Sequence, residues 1–329
     1  MAFNVAVAPI GILARALTGN IFIEKSLAYM NEGDKDSYNV LKQDVKNVLA
    51  AYSADPASGG SDSSVTANVL RGLTIVQSFE QFNPADYHSY WREFQPTGTF
   101  QWEALPAEVQ ANLEELFLGS AAEAVENTLT NGDSSLGIVG LNEQLLASSL
   151  TVLNGAAPTS TQIANSSAIA FRADLDGAGD NLAVALTTSN IFSKLELLIK
   201  NQTVSQRKRP GRKFMVNHTT ADIITEAQRL ELNFKGVDVT EEGIMRYAGY
   251  DIVINPSMKN DTILLASMTG AFQTDAIQLG TSMSADFNNV EVQRISNFGR
   301  QWGMALTMAL DIYVARPEEV CFYSLENEI

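Results

Sequence analysis

The sequence predicts an α+β protein in which an elongated spine, made of one long helix and one long strand, carries a compact α/β module. Three observations predict this fold class. Residues 302–315 alternate between apolar and mostly small side chains, residues 106–131 carry an apolar stripe at helical spacing, and strands alternate with helices across residues 136–266. Because the module separates the two long segments in the sequence, we expect it to be inserted between pieces of the spine.

The bulk composition is that of a folded, acidic protein. The chain has 329 residues, which is room for two domains or one large one. It is 45% hydrophobic and 18% charged, a balance that builds a core and argues against disorder. The net charge of −16 makes the surface repel nucleic acid overall and other copies of the chain, so an assembly must bury apolar surface.

The first part of the chain has no core of its own. Residues 1–45 are predicted to be an N-terminal arm with short helical pieces, because the apolar residues of 39–52 have helical spacing. The arm starts with apolar residues but lacks a basic segment before them, so we do not expect a signal peptide. Residues 53–68 are rich in Ser, Gly, Ala and Asp, cannot pack a core and are predicted to be a long flexible loop or hairpin tip. Residues 69–82 are predicted to be a strand.

The segment 106–131 is the clearest helix. Pro106 lies in its first turn, and Asn131 with Gly132 ends it. At about 1.5 Å per residue it is roughly 39 Å long. Its apolar stripe consists of Val109, Leu113, Leu116, Phe117, Ala121, Ala124, Val125 and Leu129.

The segment 302–315 is best explained as a strand, which at about 3.3 Å per residue would extend roughly 46 Å. A membrane helix needs about 20 apolar residues, whereas this run is shorter and contains Asp311. An ordinary helix remains the alternative, since Met, Ala and Leu favour helices. A long helix lying along a long strand forms a spine and not a pocket.

Between these segments the pattern is that of a compact module. Helices are predicted at 189–201 and 219–232, the second with Thr219 and Asp222 spaced as a capping box. Strands are predicted from the apolar runs at 213–218, 250–256 and 261–267. The chain then returns to the spine through a strand at 290–295 and the segment 302–315.

This order of elements resembles the major capsid proteins of tailed bacteriophages, which have the Hong Kong 97-like fold. Three stretches resemble the family locally: TNGDSSLGIVGLNEQL, KFMVNHTTADIITEAQ and MRYAGYDIVINPSMKNDTILLA. Tyr250 and Asp251 depart from the small or Pro residues usual in the last stretch. The resemblance implies an N-terminal arm (1–45), an extended loop (46–80), a peripheral domain (81–135) with a spine helix, an axial domain (136–266) and a return to the peripheral domain (267–329).

The function that the resemblance implies is self-assembly as pentamers and hexamers into an icosahedral shell around the double-stranded DNA of a tailed phage. Assembly is expected in the bacterial host cytoplasm, with portal, scaffolding and decoration proteins as further partners and no membrane. Some relatives cross-link subunits through a lysine on the extended loop. This sequence has no lysine between Lys46 and Lys194, so the tip of the loop cannot supply that lysine and we expect a non-covalent shell. No long charged segment precedes the arm, so we expect any scaffolding to be a separate protein.

Two other interpretations stay open: an encapsulin-like compartment that encloses an enzyme, and an α/β enzyme with an extra β-hairpin. The second lacks a set of reactive residues, because the sequence has no nucleophile elbow, phosphate loop or Cys-x-x-Cys. The single cysteine, Cys321, lies in an apolar run and is expected to be buried and inert. His88 and His218 have no ligand spacing, and we expect no catalytic residue, cofactor or metal.

Two charged runs are the candidate sites. The dense basic run RKRPGRK has three interpretations: a contact to nucleic acid or another anion, a contact to an acidic neighbouring subunit, or a solvated loop. Its charged residues are Arg207, Lys208, Arg209, Arg212 and Lys213. The acidic run at 174–181 resembles a calcium loop, but the position that needs an acid holds Ala185, so a polar turn is expected there.

Overall fold

The fold was analysed in a computed structural model of the chain. It describes residues 21–32, 37–43, 65–82, 107–146, 170–172, 185–200, 202, 207–230, 237–239, 245–271, 275–281, 290–295, 302–316 and 319–324. Within these ranges the helices are α1 (Ile21–Glu24), α2 (Ala107–Asn131), α3 (Leu141–Leu146), α4 (Ile191–Lys200) and α5 (His218–Leu230).

The strands of the same ranges form three sheets. They are β1 (Tyr29–Glu32), β2 (Ser37–Gln43), β3 (Val65–Gly72), β4 (Thr74–Phe82), β5 (Ala170–Arg172), β6 (Arg212–Val216), β7 (Val237–Val239), β8 (Met245–Tyr247), β9 (Tyr250–Ile254), β10 (Ile263–Ser267), β11 (Ile277–Thr281), β12 (Val290–Arg294), β13 (Trp302–Val314) and β14 (Val320–Tyr323).

The first sheet is organised around the long strand β13, which confirms the predicted strand. β13 pairs antiparallel with β4, β11 and β12, and β11 pairs in parallel with β1. Its even-numbered side chains are buried on one face, as the alternation predicts, in the first of two hydrophobic cores. These side chains are Met304, Leu306, Met308, Leu310, Ile312 and Val314.

The long helix α2 shares this core with β13, as the predicted spine requires. Its buried side chains in the core are Phe117, Leu118, Ala121, Val125 and Leu129. Two residues assigned to the stripe are instead on the outside: Leu116 is 71% exposed and Ala124 is exposed. The inward face is therefore rotated toward Leu118, which the predicted stripe left out.

The arm helix α1 is tied to this spine. Phe22 is fully buried in the first core. The Ile21 amide donates to Glu126 Oε2 at 3.3 Å, and the Ser257 hydroxyl donates to Glu126 Oε1 at 3.1 Å. Glu126 therefore holds together the arm, the spine helix and the loop that follows β9.

The second sheet contains seven strands in the order β5-β14-β10-β6-β9-β8-β7. Side chains of its central strands alternate between the two cores: Val320 and Phe322 lie in the first core, whereas Cys321 and Tyr323 lie in the second. The second core is completed by helices α4 and α5. This sheet is therefore a middle layer with both faces buried, which explains why its strands read as continuous apolar runs.

The last strand lies in the second sheet. Residues 267–329 were expected to return to the peripheral domain; β11, β12 and β13 of this range pair within the first sheet, whereas β14 pairs with β10 and β5 of the second sheet. The physical reason is the uninterrupted apolar run 320–323, which satisfies both cores at once. The chain therefore crosses back into the second sheet after β13.

Three local predictions also differ from the structure. The apolar residues of 39–43 suggested a helix, but they belong to β2, which pairs with β3 from Ser37 onward. The expected strand 69–82 breaks at Leu73, because β3 pairs with β2 while β4 pairs with β13. Helix α5 is capped by Asn217, whose Oδ1 accepts from the Thr220 amide at 2.7 Å, and not by a box beginning at Thr219.

The turn after α2 depends on glycine at two positions. Gly132 has φ +84°, and a Cβ on Gly140 would lie 2.0 Å from the Gly132 nitrogen. Glycine is favoured in this left-handed backbone, and the close approach at Gly140 leaves no room for a Cβ. The turn leads the chain from the spine helix into α3, which packs beside β13.

Candidate interaction surfaces

A small hairpin, formed by β2 and β3, packs on the second face of β13. Asp311 is the contact point: the Tyr38 hydroxyl donates to its Oδ2 at 2.8 Å. Arg71 donates from Nε to Oδ2 at 3.2 Å and from Nη2 to Oδ1 at 3.4 Å. One carboxylate in a long apolar strand thus binds both strands of the hairpin, with bidentate geometry toward the arginine.

The packing around this contact is close. A Cβ on Gly280, the cross-strand partner of Asp311, would lie 2.3 Å from the Tyr38 ring, so only glycine admits the tyrosine here. The Arg71 guanidinium lies 4.7 Å from the centroid of the Tyr313 ring, a cation–π distance. Tyr38 and Tyr313 also belong to a third, small hydrophobic cluster, together with Val40, Ala315, Val69 and Leu73.

The surroundings of Tyr38 and Arg71 fix the ionisation state of each side chain. Burial, reinforced by the neighbouring Asp311, raises the pKa of Tyr38 well above its ordinary value, so the phenol stays a donor. For Arg71, burial lowers the pKa, but the attraction of Asp311 outweighs it and the net pKa is raised. The hairpin is therefore held by a neutral phenol and a charged guanidinium.

Sequence reasoning used Asp311 only to exclude a membrane helix and missed these partners. A carboxylate inside an apolar strand is a signal in itself, because buried charges are paired. The sequence carries no signal that Tyr38 and Arg71 are the partners, since they lie more than 200 residues away and in separate strands.

The two ends of the basic run serve as internal donors. Arg207 Nη2 donates to the carbonyl oxygens of Lys200 at 2.9 Å and Ile199 at 3.4 Å, at the carboxyl end of α4. Lys213 Nζ donates to the Lys25 carbonyl oxygen at 3.1 Å. These contacts fasten α4 and the arm to the second sheet.

The middle of the basic run reaches a buried acid. Arg209 pairs with Glu319 at 3.0 Å, and Arg316 donates to the same carboxylate at 3.4 Å. The Glu319 side chain is only 6% exposed. Arg212 is also buried, and burial lowers its pKa. Lys208, in contrast, is exposed.

The remaining candidates show no reactive arrangement. His218 is exposed at the start of α5, while His88 and the acidic run 174–181 lie outside the described residues. Cys321 is fully buried, and burial raises the pKa of its thiol to about 12. Within the described ranges, no three His, Cys, Asp or Glu side chains are grouped to hold a metal ion. No described helix is long and apolar enough to cross a membrane.

Comparison with known proteins identifies the fold. No protein-family model and no curated protein matches the sequence. The satellite phage P4 procapsid, which includes a size determination (Sid) protein, is similar with a TM-score of 0.56 at 10% identity, over 96% of this chain and 98% of that chain. The capsid of the native GTA particle is similar with a TM-score of 0.55 at 12% identity, over 94% of this chain and 89% of that chain.

An encapsulin is similar to nearly the same degree. The holo-SrpI encapsulin of Synechococcus elongatus gives a TM-score of 0.53 at 12% identity, over 92% of this chain and 86% of that chain. The likeness in each case extends over almost the whole of both chains. The fold is therefore that of phage major capsid proteins, and the encapsulin shares it.

Proposed function

From this capsid-protein fold, we propose that the chain is the major capsid protein of a tailed phage. It assembles as pentamers and hexamers into an icosahedral shell around double-stranded DNA. The observation that carries the proposal is the similarity, over almost the full length of both chains, to the P4 procapsid and the GTA capsid. The role is structural and not enzymatic.

The contacts of the chain support a shell subunit. The spine of α2 and β13 shares one core, so the long elements form a rigid body. The hairpin of β2 and β3 lies outside the two large cores and is held by the polar contacts at Asp311 and by its own small hydrophobic cluster. Such a division suits a subunit that presents extended segments to its neighbours, because many modest contacts close a symmetric shell.

The domain arrangement follows the same proposal. We assign residues 1–45 to an arm, 46–80 to the extended loop, 81–135 to a peripheral domain and 136–266 to an axial domain. β2 lies in the proposed arm and pairs with β3 in the proposed loop, so the hairpin joins these two segments. β14 pairs with β10 and β5, which lie in the proposed axial domain. Portal, scaffolding and decoration proteins are the further partners expected of such a shell.

The exposed part of the basic run is a contact to a neighbouring subunit or to packaged DNA. Three of its five residues, Arg209, Arg212 and Lys213, are buried or half-buried, which leaves Arg207 and Lys208 at the surface. On a chain of charge −16, two exposed cations suit an acidic neighbour better than a duplex. Replacing Lys208 by Glu should weaken assembly without changing the DNA content of the shells that form.

An encapsulin-like compartment is the second candidate, because the SrpI encapsulin is similar over nearly the same length. Neighbouring genes separate the two: portal and terminase genes indicate a phage, and an enzyme cargo gene indicates a compartment. Expression of the chain alone, followed by negative-stain microscopy, tests what both share. Hexamers, tubes or shells support a shell subunit, and a chain that stays monomeric at high concentration refutes it.

We further propose that the shell is not covalently cross-linked, because no lysine lies between Lys46 and Lys194. Boiled particles should run as a single band at the mass of the monomer on a denaturing gel. A ladder of multimers would contradict this expectation.

A further inference from the structure

The pair Asn131–Gly132, where α2 ends, combines a chemically reactive sequence with a tightly packed turn. Asparagine is among the thermolabile residues, and a following glycine has no side chain to keep its backbone nitrogen away from the asparagine amide. The pair occurs twice in the sequence, at 131–132 and at 154–155, and the second lies outside the described residues. The structure therefore gives the surroundings of the first pair.

The Asn131 side chain is held by three hydrogen bonds that use both ends of its amide. Nδ2 donates to the Ser257 carbonyl oxygen at 2.8 Å and to Asn127 Oδ1 at 2.7 Å. Oδ1 accepts from Asn142 Nδ2 at 2.9 Å, and Asn142 is buried. The amide therefore joins the end of α2 to α3 and to the loop after β9, and this joint needs both its donor and its acceptor.

The backbone nitrogen that could attack this amide is also held in place. The Gly132 amide donates to the Thr128 carbonyl oxygen at 2.8 Å. A Cβ on Gly140 would lie 2.0 Å from the Gly132 nitrogen and 2.4 Å from the Asn131 carbonyl carbon, so Gly140 covers this peptide bond. Attack requires the peptide bond to rotate toward the Asn131 side chain, and the close approach of Gly140 leaves no space for that rotation.

We propose that Asn131 is a deamidation site which the fold keeps closed, so that the reaction proceeds only when the turn opens. In the open turn the Gly132 nitrogen bonds to Asn131 Cγ, and the Cγ–Nδ2 bond breaks. Nδ2 leaves as ammonia with the proton that the Gly132 nitrogen gives up. Water then opens the cyclic imide at either carbonyl and yields aspartate or isoaspartate. The site is independent of the proposed shell function, because the reaction uses only this chain and water.

The product does not fit the closed turn. An aspartate at position 131 has no donor for the Ser257 carbonyl oxygen, and it places a negative charge at the carboxyl end of α2, where the helix dipole disfavours it. Glu143 is a second negative group nearby, since its Oε2 would lie 2.5 Å from a Cβ on Gly132. Isoaspartate lengthens the backbone beside Gly140. Deamidation therefore opposes reclosure of the turn and accumulates in chains that have opened.

The first test follows position 131 in the full-length chain by peptide mapping with mass spectrometry, at neutral pH with and without urea. Urea unfolds the chain. Conversion to aspartate and isoaspartate should be at least about tenfold slower in the folded chain, because only the open fraction reacts. Asn131→Gln in urea should show no comparable conversion, since its longer side chain does not form the same ring. Equal rates with and without urea would refute the protection, and no conversion in urea would refute the site.

The second test opens the joint in the folded chain. Asn142→Ala removes the donor to Asn131 Oδ1 and should speed conversion by about tenfold, the effect of losing one hydrogen bond of ordinary strength. Asn127→Ala, at an exposed residue of α2, removes another contact of Asn131 and serves if Asn142→Ala does not fold. The control is Ser135→Ala, whose hydroxyl donates to Asp133 Oδ1. Conversion at the wild-type rate in both asparagine variants, or equal acceleration in the control, would overturn the inference.

The third test asks whether the product opposes reclosure. The Asp133 and Ile138 amides bond across the turn at 2.9 Å and 3.1 Å. They should exchange hydrogen about two- to fivefold faster in Asn131→Asp than in Asn131→Ala, because only the first adds a charge at the end of α2. High salt should narrow the difference, since it screens that charge. Equal exchange in the two variants would show that the added charge does not oppose reclosure and would overturn this part of the inference.

Discussion

Removing the Asp311 carboxylate should release the hairpin without unfolding the rest of the chain. In Asp311→Ala the Tyr38 hydroxyl loses a charged acceptor in a buried site, which costs about 1.5–3 kcal/mol. The Arg71 side chain is 32% exposed, so solvent replaces much of its ion pair and the added cost is at most about 1 kcal/mol. The hairpin should therefore be destabilised by about 1.5–4 kcal/mol. Its small cluster is separate from the two large cores, so the loss should stay local.

Hydrogen exchange on the unassembled chain measures this loss directly. Amides of β2 and β3 should exchange about 10 to 1,000 times faster in Asp311→Ala, because each 1.4 kcal/mol is a factor of ten. Amides of α2 in the first core should exchange as in the wild type. Asp311→Asn keeps an acceptor oxygen and should lie between the two. Adding Tyr38→Phe to Asp311→Ala should cost less than the sum of the single changes. Unchanged exchange in both strands would refute the anchoring role of Asp311.

Three further outcomes are expected. Gly280→Ala should lower the free energy of unfolding by about 1–3 kcal/mol, because its Cβ would lie 2.3 Å from the Tyr38 ring. The control Gly119→Ala, on a helix with open space around it, should raise the free energy of unfolding by about 0.5–1 kcal/mol. Equal effects of the two substitutions in thermal unfolding would contradict the packing around Gly280. Burial raises the pKa of Cys321 from 9.0 to about 12, so its stabilising contribution should be full below pH 9 and fall as the pH rises toward 12. A pH titration of the unfolding free energy should show this decline, and Cys321→Ala should reduce it. Deleting residues 54–67, which removes the first three residues of β3, should leave the two large cores folded but hinder assembly. Normal shells from the deletion would show that this segment is dispensable.

The long elements could be predicted from the sequence because their periods are unambiguous. Thirteen residues with alternating apolar side chains do not fit a helix face, and the stripe of α2 does not fit a strand. The shorter β2 was misjudged because Val40 and Leu41 are adjacent, which suits either period over so few residues. Its strand conformation is decided by pairing with β3, a contact that a local pattern does not contain.

The sheet to which β14 belongs could not be predicted from the sequence, for a different reason. Four consecutive apolar residues indicate a strand with both faces buried, but they do not say which sheet receives it. In the structure Cys321 and Tyr323 face one core while Val320 and Phe322 face the other. The same limit applies to the basic run, because the sequence does not show that Arg209 pairs with the buried Glu319.

The chain buries two carboxylates, Glu319 and Asp311, in different surroundings, and the difference separates a rigid part of the fold from a part that can move. Glu319 is enclosed with Arg316 and Arg209 at the junction of β13 with the middle sheet, where loss of one partner would leave buried charge inside the layered cores. Asp311 is enclosed by a hairpin whose own cluster is small and whose arginine still touches solvent. Opening the second contact exposes its charges to water and disturbs neither large core, so it costs a few kcal/mol and not the fold. The proposed role as a shell subunit suits this asymmetry, because the core shared by α2 and β13 stays rigid while contacts of a few kcal/mol between subunits are strong enough to reposition the hairpin.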